Sequence, residues 1–580
     1  MIGLLRTYLR PYGGRIVVVM ALLLVQAIGN LFLPDLNGDI INKGVLAGDT
    51  DYVLRVGGLM LLVTALIGLA AIASVYLSAR IAMGFGRDVR GAIFTKVETF
   101  SQVEVNRFGP PSLITRNTND VQQVQQVLFV AMTVMVSAPI LIVGGVIMAL
   151  RTDVPLSGLL VVVIPAMGIL IGLTMSRLIP IFRATQTRLD RINQVMRESL
   201  SGVRVIRAFV RTRHEEARFE QASRELFDVQ LRGGRTFAFT QPIIMAIFNL
   251  STVAAIWFGA LRVESGDLSI GNLTAFQQYL AQILFAVLTA TFMFILVPRA
   301  AVSAGRIREV LDTTPSIVDP IDPVAPPIDG PDAGVVEFRN VEFRYPGAEE
   351  PVLRGISFRA RPGTTTAIVG STGSGKSTLV NLIPRFYDAT TGTVLVDGVD
   401  VKAMRREEVW ARIGMIPQKA FLFSGTISSN LRFGKADATD DEIWRALDIA
   451  QGRDFVEAMD GQLEAPIAQG GGNVSGGQRQ RLAIARAIVK GAAVYVFDDS
   501  FSALDFATDA RLRQALDRNL ARATKIIVAQ RVGTIMNADQ IVVLDAGQVV
   551  GIGTHRELLE TSDTYREIVY SQLSEAEAVA

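Results

Sequence analysis

Residues 364–378 read TTTAIVGSTGSGKST. Ala367, Ile368 and Val369 have the composition of a buried strand end, and a loop of small residues follows. Gly370, Ser371, Thr372, Gly373, Ser374, Gly375, Lys376 and Ser377 match G-x-x-x-x-G-K-[ST], with Thr378 next. Glycines let the backbone curl so that its N–H groups converge on phosphate oxygens. The helix expected after the loop turns its positive end toward the same anions. Lys376 can reach β- and γ-phosphates, and the Ser377 hydroxyl can ligate Mg²⁺.

Working outward, the chain of 580 residues is too long for one domain. Half of its residues are hydrophobic and 19% are charged, and the mean hydropathy is +0.36. The excess lies before residue 300, in apolar runs roughly 20 residues long, enough to cross a bilayer. Residues 333–570 read as a soluble domain. A net charge of +2 gives no case for a nucleic-acid partner, and the absence of cysteine excludes disulfides, thiolate chemistry and Cys-ligated metal. The two histidines, His214 and His555, are too far apart in sequence to suggest a ligand pair. The opening MIGLLRTYLRPYGGR has three arginines but no small-residue cleavage site, and it reads as a cytoplasmic entry segment.

Six spans are expected near 16–34, 56–79, 127–150, 154–176, 238–262 and 273–297. The loop at 35–55 is acidic, whereas residues 80–126 and 177–235 are rich in arginine. The positive-inside rule puts the first outside and the other two inside, so both termini are cytoplasmic. Helical apolar spacing from Leu189 to Phe209 predicts that the inside segments continue the membrane helices. Transverse tips are expected near 108–118 and 203–213. Neutral amides (Gln26, Asn30, Gln241, Asn249, Gln277, Gln278, Gln282) are the polar groups of the spans. They serve either to bond helix to helix or to meet a substrate.

Residues 315–332, PSIVDPIDPVAPPIDGPD, predict an extended tether. VVEFRNVEFRYPG then alternates as strands do, and its Tyr345 either packs a strand or stacks on a base. Farther on stand Ile416–Pro417–Gln418, the helix-opening Val474–Ser475–Gly476–Gly477–Gln478, and the apolar strand Val494–Phe497 with Asp498 and Asp499. Ser502–Ala503–Leu504–Asp505 follows, then the strand Lys525–Gln530.

In this order these stretches resemble the nucleotide-binding domain of an ATP-binding cassette (ABC) transporter. The six preceding spans resemble the exporter-type half-transporter, so the resemblance covers nearly the whole chain. It implies a multidomain fold: a six-helix transmembrane domain over 1–312, a linker over 313–333, and a P-loop α/β nucleotide-binding domain over 334–580. It implies ATP and Mg²⁺ as cofactors. Tyr345 would stack on adenine, and the loop from Gly370 to Thr378 would hold the phosphates. Ser377, Gln418 and Asp498 would hold the magnesium, with Gln418 sensing the γ-phosphate. Ser475, Gly476, Gly477 and Gln478 would bind nucleotide held by a partner subunit.

Two departures bear on mechanism. Where the family has a Glu that polarises the attacking water, this chain has Asp499; where the family has a switch His, it has Gln530. Gln469 stands where a Glu is usual. Asp is one methylene shorter than Glu, and a misplacement of ~1 Å can cost ~10²-fold in rate. Asp499, Gln530 and Gln418 are thus the candidate catalytic set of a weakly hydrolytic site, beside an intact Ser475–Gln478 signature. A heterodimer is the expected assembly, with a second half-transporter carrying Glu and His. The expected function is ATP-driven movement of an amphipathic or lipid-like small molecule across the cell membrane. The alternatives are uptake with the same fold, or an ATP-gated or regulatory membrane subunit.

Overall fold

The structure is a computed structural model that describes residues 1–326, 332–574 and 578. Two compact units form, one from Met1–Glu98 with Pro110–Thr313, the other from Thr99–Gly109 with Thr314–Ala580.

The first unit contains six long helices: Ile2–Val45, Thr50–Glu98, Pro110–Thr152, Val154–Ser201, Thr212–Glu264 and Ile270–Asp312. Each of the six expected spans lies inside one of them. The shortest have 43 residues, about 65 Å at 1.5 Å per residue, roughly twice the hydrocarbon thickness of a bilayer. The arginine-rich segments 80–126 and 177–235 are therefore mostly helical continuations of the apolar stretches. Beside a buried apolar core that includes Phe85, Phe276 and Ile283, many large apolar side chains face outward. Leu61, Ile72, Val161 and Trp257 are exposed, while Ser74, Ser78, Ser157 and Ser251 are buried between helices. Small residues bring the backbones together: a Cβ on Gly271 would lie 2.1 Å from the Gly38 carbonyl oxygen. Of the neutral amides, Gln282 Nε2 donates to the Asn30 carbonyl at 3.0 Å, a bond from helix to helix.

The transverse tips differ in part from expectation. Val203–Ala208 is a short helix, as anticipated, and the chain turns after it at Val210 with φ +53. The first short helix is Gln102–Phe108, upstream of the 108–118 tip expected from the Gly–Pro–Pro turn. Gly109 stops that helix at φ +74, and Pro110 opens the next one. The capping box of Ser101 and Glu104 explains the shift: Glu104 accepts from the Ser101 backbone N–H at 2.8 Å and fixes the helix start there.

In the second unit, the segment after Thr313 is neither helix nor strand, but it is docked. Glu104 accepts from the Ser316 N–H at 3.0 Å, and the Val324 N–H donates to the Ala403 carbonyl at 2.8 Å. Residues 327–331 of the expected linker lie outside the described residues. The main sheet has six strands, in the order Gln548–Gly553, Gln540–Asp545, Thr365–Gly370, Thr524–Val528, Val494–Asp498 and Ile413–Ile416. All but the first edge pair are parallel. Parallel sheets are covered on both faces, which explains the unbroken apolar runs. Ala367, Val369 and Ile527 enter one core layer; Ile368, Ile526 and Val528 enter the other. A four-stranded antiparallel sheet that includes Val336–Phe343 and Leu353–Ala360 lies alongside.

Candidate functional site

Register brings the sequence-expected residues together. Ile368 pairs with Val528, Val528 with Asp498, and Ile416 with Phe497. Gly370, Gln530, Asp498, Asp499 and Gln418 therefore all lie at or just past the carboxyl ends of four neighbouring strands. In an open parallel sheet that edge is where ligands bind.

The loop is built for close approach. Gly373 and Gly375 hold φ +87 and +97. A Cβ at Gly370 would lie 2.2 Å from the Leu544 carbonyl oxygen of the adjoining strand, so only glycine fits. Lys376 Nζ folds back over the loop, 2.8 Å from the carbonyl oxygens of both Gly370 and Ser371. Burial lowers its pKa, against the opposing pull of Asp499 and Asp498. Ser374 Oγ is buried in the same loop without a hydrogen-bond partner, an atom a phosphate oxygen would satisfy.

Ser377 Oγ donates to Asp498 Oδ1 at 3.0 Å. This pair of oxygen donors suits Mg²⁺, which takes one or two protein ligands and fills its shell with water and phosphate. Burial raises the Asp498 carboxyl above its ordinary 3.8; Asp499 adds to the rise and the Ser377 hydrogen bond opposes it. Asp499 is buried and holds φ +48, its N–H donating to the Val528 carbonyl at 3.0 Å. Its Oδ2 accepts two amide bonds, from Gln418 Nε2 at 3.1 Å and from Gln530 Nε2 at 2.9 Å. That leaves Gln418 Oε1 as the atom of that side chain able to ligate a cation.

Family comparison agrees with this geometry. Residues 16–287 match the ABC transporter transmembrane region and residues 353–502 the family described as ABC transporter. An uncharacterized ABC transporter ATP-binding protein of Mycobacterium tuberculosis is 48% identical over 575 residues, covering 99% of this chain and 98% of its own. The chain belongs to the ABC transporter family. An ATP-dependent lipid A-core flippase of Chromobacterium violaceum is 31% identical over 567 residues, 97% of this chain and 94% of its own. Among solved structures, a bacterial Atm1-family ABC exporter with ATP bound gives a TM-score of 0.79 over 98% of this chain and 99% of its own, at 23% identity. That likeness is one of fold, and it gives the ABC transporter its exporter architecture. The protein is thus a multi-pass membrane transporter whose ATP-binding domain couples ATP hydrolysis to transport.

Three further sets of contacts lie in the same unit of the ABC transporter. Tyr345 Oη lies 3.0 Å from Thr378 Oγ1, and its ring meets Phe343 and Tyr387 edge-on at 4.8 and 5.4 Å. Both readings of this residue keep a foothold, since it packs beside a strand and touches the loop. Ser475 caps the helix Gly476–Val489 through a capping box with Gln478: Ser475 N–H donates to Gln478 Oε1 at 2.9 Å, and Gln478 N–H to Ser475 Oγ at 3.2 Å. Ser475 and Gly476 are exposed. Sequence reasoning missed Gln572, whose Nε2 donates to the Gln530 carbonyl and whose Oε1 accepts from the Val532 N–H, both at 2.9 Å. No local motif marks Gln572; only tertiary placement of the C-terminal segment brings it to Gln530.

Proposed function

We propose that this ABC transporter subunit works as an exporter in a heterodimer, binding Mg-ATP at its own loop and hydrolysing it poorly there. The observation that carries the reading is the double amide grip on Asp499 Oδ2 by Gln418 and Gln530. A general base must come within about 2.6–3.2 Å of the proton it takes. A short carboxylate whose oxygen already accepts two hydrogen bonds is poorly placed to do so.

In this reading Lys376 and the loop N–H groups hold the nucleotide phosphates, and Tyr345 meets the base. Bound Mg²⁺, held by Ser377, Asp498 and Gln418, would neutralise phosphate charge. Ser475–Gln478 serves the other subunit. Its exposed hydroxyl and the N-terminus of a fourteen-residue helix suit an anion presented from outside this chain. A homodimer would contain two weak sites and leave this intact signature without a competent site to complete. A partner with Glu and His at the two altered positions gives it one. The arginine-rich segments support a cytoplasmic nucleotide-binding domain and cytoplasmic termini. The nearly uncharged spans, and a relative named as a lipid A-core flippase, support an amphipathic or lipid-like substrate.

The test is ATPase activity of this chain alone and co-purified with such a half-transporter. Activity confined to the 1:1 complex supports the proposal; equal activity of the chain alone contradicts it.

A further inference from the structure

A cavity of about 710 Å³ opens between the helices Val154–Ser201 and Ile270–Asp312 in the first unit. Its size falls in the range of small-molecule sites. Ile171, Met175, Ile179 and Val287 give it apolar walls. Gly168 and Gly172 keep one wall open, since a Cβ at either would meet nothing within 4 Å. Arg183 and Arg299 are the charged residues of the lining. Among the described residues neither guanidinium has a hydrogen-bond or ion-pair partner. Nearby arginines differ: Arg188 pairs with Glu225 at 2.7 Å, and Arg306 with Asp120 at 2.5 Å.

The two free cations stand at one level. Asp153 caps the start of Val154–Ser201, and its Oδ2 accepts from Arg262 Nε at 2.9 Å, in the last turn of Thr212–Glu264; the Leu268 N–H, just before Ile270, donates to the Arg262 carbonyl at 3.1 Å, so both cavity helices start at the same end. Arg183 lies 29 residues past Val154, and Arg299 29 residues past Ile270. At 1.5 Å per residue each is about 44 Å along its helix. A bilayer is about 30 Å thick in hydrocarbon and roughly 40–45 Å with headgroups. The guanidinium groups thus reach the far headgroup level, while Gly168, Ile171, Gly172 and Val287 lie within the hydrocarbon depth.

We propose that this cavity binds a lipid-like amphiphile with a phosphate headgroup, its chain along the apolar walls and its phosphate between Arg183 and Arg299. Two guanidinium forks offer more donors than one carboxylate can accept. A phosphate monoester brings three acceptor oxygens and nearly two charges. This rests on the reading of the chain as an amphiphile transporter and narrows its substrate class.

The test uses the full-length complex in phosphatidylcholine nanodiscs, titrated with radiolabelled oleoyl lysophosphatidic acid and, separately, oleoyl lysophosphatidylcholine. The phosphate monoester should bind at least about tenfold more tightly. Arg183→Gln with Arg299→Gln should bring the two affinities together, and Arg183→Lys with Arg299→Lys should keep most of the difference. Gly172→Phe, which fills open space, should weaken both lipids while keeping their ratio. Equal affinities in the unmodified complex, or discrimination unchanged by the double Gln variant, would overturn the proposal. ATPase activity of the same complex without added lipid reports separately on the transporter reading, so loss of one does not imply loss of the other.

Discussion

Gln530 Nε2 donates to Asp499 Oδ2 at 2.9 Å, so the two side chains that depart from the family's His and Glu are hydrogen-bonded to each other. Gln418 binds the same oxygen at 3.1 Å. The three side chains form a closed polar cluster beside the Ser377–Asp498 pair, and Gln572 holds the backbone on both sides of Arg531.

Division of labour follows. In the proposed pairing with a half-transporter that carries Glu and His, Asp499→Asn should lower steady-state ATPase by no more than about twofold, because in that reading Asp499 contributes little to the unit that turns over. Ser475→Ala should cost about 10²-fold, the scale for losing a donor that acts on transition-state charge. Comparable large losses for both variants would make this chain's own site a main hydrolytic one.

Nucleotide binding depends on Lys376. Lys376→Ala in the full-length complex should weaken photolabelling of this chain by an ATP analogue by about tenfold or more, since a charge-assisted phosphate contact is lost. Equal labelling would remove Lys376 from the site.

Asp498 gives a pH signature. Its carboxyl is raised above 3.8, chiefly by burial, so the folded state holds the proton more firmly than the unfolded chain. The stability this contributes is complete below 3.8 and is lost as pH rises through the raised value. At neutral pH the buried anion is therefore a cost that a bound Mg²⁺ would offset. Asp498→Asn should raise the thermal midpoint of the nucleotide-free protein at pH 7 and abolish Mg²⁺-dependent ATP binding at this chain. In the unmodified protein, Mg²⁺ binding should begin to weaken at a pH above 3.8 on acidification. A thermal midpoint lowered by Asp498→Asn would contradict this account.

Arg262, in the last turn of Thr212–Glu264, pairs with Asp153, which caps the cavity helix Val154–Ser201. Asp153 is buried and its partner mostly so. Arg262→Ala should destabilise the first unit by about 3 kcal/mol by leaving a buried charge unpaired. Adding Asp153→Asn should recover part of that, which differential scanning fluorimetry in detergent can read.

Much of this was legible in the sequence because the strongest signals are local. Gly370–Ser377 dictates its own loop, and the apolar strand ending in Asp498 and Asp499 dictates its place in a parallel sheet. The long apolar runs dictate helices. What was not legible depends on side chains meeting across the fold. Gly109–Pro110 marks a break, but Glu104 decides on which side the short helix forms. The prolines after Thr313 suggest a free tether, yet Ser316 and Val324 find backbone partners. In the sequence Asp499 and Gln530 are two separate departures; the hydrogen bond that joins them belongs to tertiary register.

The most direct measurement is the ATPase rate of this chain purified alone, free of other half-transporters, with and without the double change Asp499→Glu and Gln530→His. Very low turnover is expected for the unmodified chain and a clear gain for the double variant, whose homodimer would then contain competent sites completed by Ser475. Turnover of the unmodified chain alone equal to that of a co-expressed pair would contradict the heterodimer proposal.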